Sequence, residues 1–187
     1  MFKRVVVIAA SAAAVASAAL AGPTYVDTEN KFEFTFPDAG WTTEKGADAD
    51  TKVVMNSPRK DQTGGKCRVL AGVDATTAKS TQADVDKMLK TEITEAFWKT
   101  VFEGGAGGKP FSVEKWGTEQ RAAQTVYFAL AQLSVEAEDK SIVQVKSKQI
   151  LVWVPGRFNW VNCSARADMW ASEEQSFEAI FSSFRPT

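Results

Sequence analysis

Hydrophobic and polar positions alternate with a period of two along most of this chain, and change to a helical period in two places. Phe32, Phe34 and Phe36 alternate with Glu33 and Thr35, the pattern of a half-buried strand. With the preceding Tyr25 and Val26 they predict two short strands around a turn at 28–31. A turn at 37–40 follows, Trp41 opens another short extended piece, and 52–57 reads as a strand. Residues 58–65 are a loop by composition. Cys67, Val69, Ala71 and Val73 fall on one face of the next strand.

The period then lengthens. Val85, Leu89, Ile93, Ala96 and Phe97 form one apolar stripe, predicting a helix over about 81–103. Thr81 is its N-cap, with Asp84 in the first turn, and the glycines of 104–108 stop it. Strands are expected over 111–121, 124–136, 141–154 and 157–165, joined by turns at Asp139-Lys140 and Pro155-Gly156. Residues 150–154 are apolar on both faces, so both sides of the sheet should be covered there, while Lys146 and Lys148 leave one face wet. A second helix follows, with capping-box spacing at Ser172 and Gln175 and a stripe of Phe177, Ile180, Phe181 and Phe184. Strands, helix, strands, helix predict an α+β fold, a mainly antiparallel β-sheet flanked by two helices.

The first 21 residues stand apart. Lys3 and Arg4 precede an uncharged apolar run, and Ala19-Leu20-Ala21 is a small-x-small cleavage signal. These are the marks of a secretory signal peptide, with an apolar run short of the roughly 20 residues that span a bilayer. No cysteine follows the cleavage site to carry a lipid anchor. The expectation is a soluble periplasmic protein, residues 22–187 forming a single α+β domain with no integral membrane segment after cleavage.

Charge and composition narrow the chemistry. The signal segment takes two of the 22 basic residues and none of the 23 acidic ones, leaving a mildly acidic domain. That balance argues against nucleic acid as a partner, which would call for a basic patch. The chain has no histidine, so serine and cysteine triads built on imidazole are excluded, as are imidazole-bearing zinc sites. Two cysteines are too few for an all-cysteine zinc site, and no cofactor is expected.

Short motifs fail on their context. Ser57-Pro58-Arg59-Lys60 fits S-x-x-K, but its companion S-D-N and K-T-G elements are absent. The run Gly104–Lys109 lacks the phosphate-loop spacing and follows a helix instead of preceding one. Asp48 and Asp50 begin a calcium-loop spacing without its glycine and distal glutamate. Glu173 and Glu174 suit the positive end of a helix. Asn162-Cys163-Ser164 is a formal glycosylation sequon inside a predicted strand.

Cys67 and Cys163 both sit on apolar strand faces, as the ends of one bridge or two buried thiols would; a reactive Cys163 has no histidine to activate it. An oxidising compartment favours the bridge. Among the aromatics, Trp98 and Phe102 lie off the first helix's stripe. Either the 104–110 segment or Trp116 covers them, or they form a binding surface with Lys109 and Trp116.

The stretch FEFTFPDAGW (32–41) resembles the opening of the PsbP-like and DcrB-like families, and FNWVNCSARADMWASEEQSFEAIFSSFR (158–185) resembles their last strand and closing helix. The resemblance implies a fold shared with a Ran-release-factor family, an antiparallel sheet flanked by helices. Its members range from a photosystem accessory protein to a small-GTPase binder and bacterial envelope proteins, so fold does not fix function. The expected role is a non-catalytic accessory protein that binds another envelope protein. The alternatives are a small-ligand binder for a lipid or sugar, and a carboxylate-based hydrolase, which needs two carboxylates about 5–9.5 Å apart in a cleft. The oligomeric state is left open.

Overall fold

The computed structural model describes residues 22–187 except Ala39, Ala122, Ala123 and Glu138. The expected signal peptide, and Ala39 of the expected 37–40 turn, lie outside the described residues. Strands β1 (Thr24–Asp27) and β2 (Phe32–Thr35) form the expected hairpin, which the C-terminal strand β10 (Arg185–Pro186) extends to a three-stranded antiparallel sheet. A seven-stranded antiparallel sheet carries the rest: β3 (Thr42–Lys45), β4 (Thr51–Asn56), β5 (Lys66–Val73), β6 (Phe111–Arg121), β7 (Gln124–Glu136), β8 (Ile142–Val154) and β9 (Arg157–Arg166). Their order is β3-β4-β5-β9-β8-β7-β6.

Two meanders make up that order, β3-β4-β5 and β6-β7-β8-β9, and the β5–β9 pairing is the one seam between them. At the seam Cys67 stands directly opposite Cys163, both fully buried, with sulfurs at a bonding distance of 1.93 Å. Direct opposition brings the Cα atoms to 4.0 Å, nearest to the close-spaced class of antiparallel pair.

The sheet is covered on both faces. On one side lie the small sheet and α4 (Trp170–Ser183), which bury Phe32, Phe34, Trp41, Phe177, Ile180 and Phe181 against Val69, Ile150 and Val161. Lys146 and Lys148 fall on this side and are not wet as expected. Both are half-buried: their ammonium nitrogens stand 5.9 and 5.1 Å from the ring centroids of Trp170 and Phe181 and pair with Glu114 and Glu178. On the other side lie α2 (Gln82–Glu92) and α3 (Glu95–Ala106), packed on Tyr127, Ala129, Leu133 and Leu151.

The predicted first helix is therefore two. Its N-cap is as expected: the Thr81 hydroxyl accepts from the Asp84 N–H, and the Asp84 carboxylate accepts from the Thr81 N–H. At Ile93 the backbone leaves the helical region, and the Thr94 hydroxyl accepts from the Phe97 N–H to start a second helix. The glycines do not stop α3 at once. Gly104 and Gly105 remain helical, and the end comes at Gly107, whose φ of 57° is left-handed.

A short helix, α1 (Lys60–Thr63), interrupts the predicted 58–65 loop, and it exists to satisfy one carboxylate. Glu173 is fully buried rather than sitting exposed at a helix end. It accepts from the Ser57 hydroxyl at 3.0 Å, the Thr63 hydroxyl at 2.8 Å and the Arg59 Nε at 3.2 Å. The approach is close enough that a Cβ on Gly65 would stand 2.9 Å from the Glu173 Cδ. The Ser57 of the apparent S-x-x-K motif is thus a structural donor. The second helix also starts earlier than expected, at Trp170, and no side chain caps it. The Ser172 hydroxyl donates to the Met169 carbonyl instead of forming a capping box with Gln175.

Replacing Cys67 and Cys163 by serine is expected to lower stability by about 2–4 kcal/mol. Urea unfolding of the oxidised protein and the double variant measures it; equal midpoints would make the seam's bridge energetically idle. Glu173→Leu is expected to cost about 1–3 kcal/mol, because it strands the Ser57 and Thr63 hydroxyls in the interior. Unfolding of Glu173→Leu beside Glu173→Gln, which keeps an acceptor, separates lost hydrogen bonds from lost packing.

Candidate functional site: a donor-lined trench beside α3

The expected aromatic surface is not one. Trp98 and Phe102 are 0% and 1% exposed, with ring centroids 6.3 Å apart, and Trp98 packs edge-on against Trp160 of the sheet. The helix break explains this. Restarting at Thr94 resets the angular phase, so that Trp98, Phe102 and Ala106 make a new stripe facing inward. Trp116 is 43% exposed on the edge strand β6, beside Glu95 of α3, and Lys109 pairs with Glu136 at 3.3 Å. The four residues do not converge on a common surface.

The helices leave part of their side of the sheet uncovered, and that part opens as a trench. Period-two alternation places its floor. Arg68, Asn162 and Gln149 form one cross-strand row of it from β5 to β8, and Lys66, Ser164 and Ser147 the next; each row continues on β7 to Ala129 and Ala131, which are buried in the core beneath the helices. Arg166 lies beyond, opposite Val145, which in turn faces Leu133. The trench holds about 440 Å³ and runs from this floor, whose β7–β8 end is apolar with Leu133, Val135 and Val145, to a wall of α3 at Phe102 and Gly105.

Its hydrogen-bonding character is one-sided. The Ser147 hydroxyl donates to the Asn162 Oδ1 at 3.1 Å, and the Trp160 indole donates to the Gln149 Oε1 at 2.7 Å. Both carboxamide oxygens are thereby engaged, which leaves the NH₂ groups as the unused ends. Lys66, Arg68 and Arg166 add cations, and no carboxylate is among the described lining residues. Arg166 pairs outside the trench with Asp168, and Arg68 contributes to holding the Asp48 carboxyl low, after the hydrogen bonds from Thr51 and Asp50. Donors and positive charge select for carboxylate, phosphate or carbonyl oxygen. The apolar wall selects for a hydrocarbon portion on the same occupant.

Carboxylates gather elsewhere, beside β1 and β3, where Asp27, Glu29, Glu44 and Asp48 line a second open groove. Three are engaged: Asp27 accepts from Asn30, Glu44 from Asn56 and Asp48 from Thr51. No group of three or more metal-binding side chains stands among the described residues, and no described helix is long and apolar enough to cross a membrane.

One more carboxylate organises the far end of the sheet. Asp74 accepts from the hydroxyls of Thr76 and Thr77 and from the Trp153 indole at 2.9 Å, and these bonds hold its pKa down to about 2. Sequence gave no sign of this cluster beyond a polar Asp-Ala-Thr-Thr turn.

This arrangement of layers defines the PsbP-like fold. The cyanobacterial PsbP, CyanoP, of Synechocystis sp. PCC 6803 shares it with a TM-score of 0.61 at 19% identity, over 95% of this chain and 98% of that one. LpqN of Mycobacterium tuberculosis, described as involved in cell envelope biogenesis, matches at 0.50 and 11% identity over 89% of this chain and 85% of its own. A Bacteroides thetaiotaomicron protein matches at 0.53 and 9% identity, and there the chain spans about half (48%) of the longer protein. No family profile and no curated protein matches the sequence.

Trp98→Ala is expected to cost about 3–5 kcal/mol, as a buried aromatic truncation does; a near-native unfolding midpoint would return Trp98 to the surface. Asp74 has a lowered folded-state pKa, so its contribution to stability is complete above its unfolded value near 3.8 and fades as pH falls through about 2. Asp74→Asn is expected to remove that acid-side dependence, read by unfolding the two proteins across pH 2–5.

Proposed function

We propose that this chain is an exported, non-catalytic accessory protein that binds another protein of the cell envelope through the trench beside α3. The observation that carries the reading is the trench itself: an open groove on the helix side of the sheet, lined by amide donors, three cations and apolar side chains. A bonded cysteine pair suits an oxidising compartment, and the fold is shared with LpqN, a protein involved in cell envelope biogenesis. Small-ligand binding is the second reading, favoured by the trench's combination of apolar wall and polar floor.

The test is capture in intact cells. The protein is tagged after Thr187, crosslinked, and its adducts identified. A stoichiometric envelope protein is expected with the wild type, and at least tenfold less of it with Lys66→Glu/Arg68→Glu, whose exposed positions leave the fold unchanged. Retention of the partner by this variant sinks the trench as the binding surface. A protein that captures no partner, but whose melting temperature rises with an amphiphile such as dodecyl phosphate, sinks the accessory role in favour of the ligand reading.

A further inference from the structure

Two glycines in α3 have no local reason to be glycine. Gly104 and Gly105 are helical, without the positive φ that would exclude a side chain. A Cβ on Gly104 would meet nothing within 4 Å, and one on Gly105 would make ordinary contact with Leu133 at 3.7 Å. Alanine fits at both sites and is the better helix former. Glycine also permits another backbone to approach closely, and at Gly105 no internal contact uses that room. Gly105 lines the trench, facing Leu133 of β7.

Resting on the accessory reading above, we propose that the trench receives an extended acidic segment of the partner protein, its backbone passing over Gly105. The segment's carboxylates face Lys66, Arg68 and Arg166, and its carbonyls meet the amide NH₂ groups of Gln149 and Asn162. Its apolar side chains lie on Phe102, Leu133, Val135 and Val145. Charge complementarity supports an acidic occupant, since three cations and no described carboxylate line the trench of a chain in which acids outnumber bases. A polypeptide fits better than a small anion because donors and apolar surface face each other along an open trench. An extended chain presents its alternate side chains in opposite directions and its carbonyls between them.

The test places a photoreactive benzophenone side chain at position 164, on the trench floor, in the full-length protein in intact cells, and sequences the crosslinked peptide. An adduct with a peptide rich in Asp and Glu is expected. It should fall at least tenfold with Lys66→Glu/Arg68→Glu, and equally with Gly105→Leu, which fills the path of the chain. Gly105→Ala serves as the fold control and should melt at or above the wild-type temperature. An adduct whose peptide lacks acidic residues, or that resists charge reversal, overturns the acidic segment and leaves the accessory reading standing. Silence at position 164 while the tagged protein still captures its partner overturns the trench as the surface. An adduct with the mass of an amphiphile overturns both in favour of the small-ligand reading.

Discussion

The pairing of β5 with β9 is the interaction on which the rest of this molecule depends. Every other junction in the large sheet joins strands that follow one another in sequence, so their own connections, turns or the α1 segment between β4 and β5, can set each register. The seam has no turn to set it. Its register is fixed by inward apolar residues, Val69 against Val161, and by Cys67 facing Cys163 across the junction. A slip of β5 by one residue would send the Cys67 sulfur to the face of α2 and α3, away from Cys163, and Arg68 into the core. Because the trench floor spans the same seam, the register that protects the core also lines up Arg68 with Asn162 and Lys66 with Ser164. The disulfide lies on the opposite face of the strands that make the floor, so the binding surface and the covalent tie are two sides of one constraint.

The second organising event is the break at Ile93–Thr94. A continuous helix would carry one stripe past Ile93 and leave Trp98 and Phe102 facing out. A new start lets α3 choose its own phase and bury two large rings, Trp98 and Phe102, with the half-buried Phe97 beside Trp98 and Trp160. The resulting α3 ends over part of the sheet, and the strip it leaves bare is the trench. Glu173 does a similar service on the far face. By holding Ser57, Arg59 and Thr63, it ties the start of α4 to the connection between β4 and β5.

Most of the strands were legible because alternation is a local signal. Phe32, Phe34 and Phe36, and the run from Phe111 to Arg166, kept their faces in the folded protein. The fold class followed from the order of elements, and the resemblance to PsbP carried over to the architecture. The helix break was not legible by periodicity, because Ile93, Ala96 and Phe97 continue the earlier stripe. Thr94 was the available sign, as a capping residue followed by Glu95, and it lay inside an otherwise unbroken pattern. The trench was hidden for another reason. Its residues come from β5, β7, β8, β9 and α3, and their spacing in sequence carries no trace of the rows they form.

The seam also governs the order in which the chain becomes safe. Its two cysteines are 96 positions apart, so the β3-β4-β5 meander is made long before its partner strand arrives. During that interval β5 offers an open row of backbone donors and acceptors, with Cys67, Val69 and Ala71 on one face. Such an edge is a template for pairing with the wrong chain. High contact order at this one place makes closure of the sheet slow relative to the hairpins on either side. During that wait β5 is the part of the chain most open to pairing with other chains, and closing the seam removes that edge.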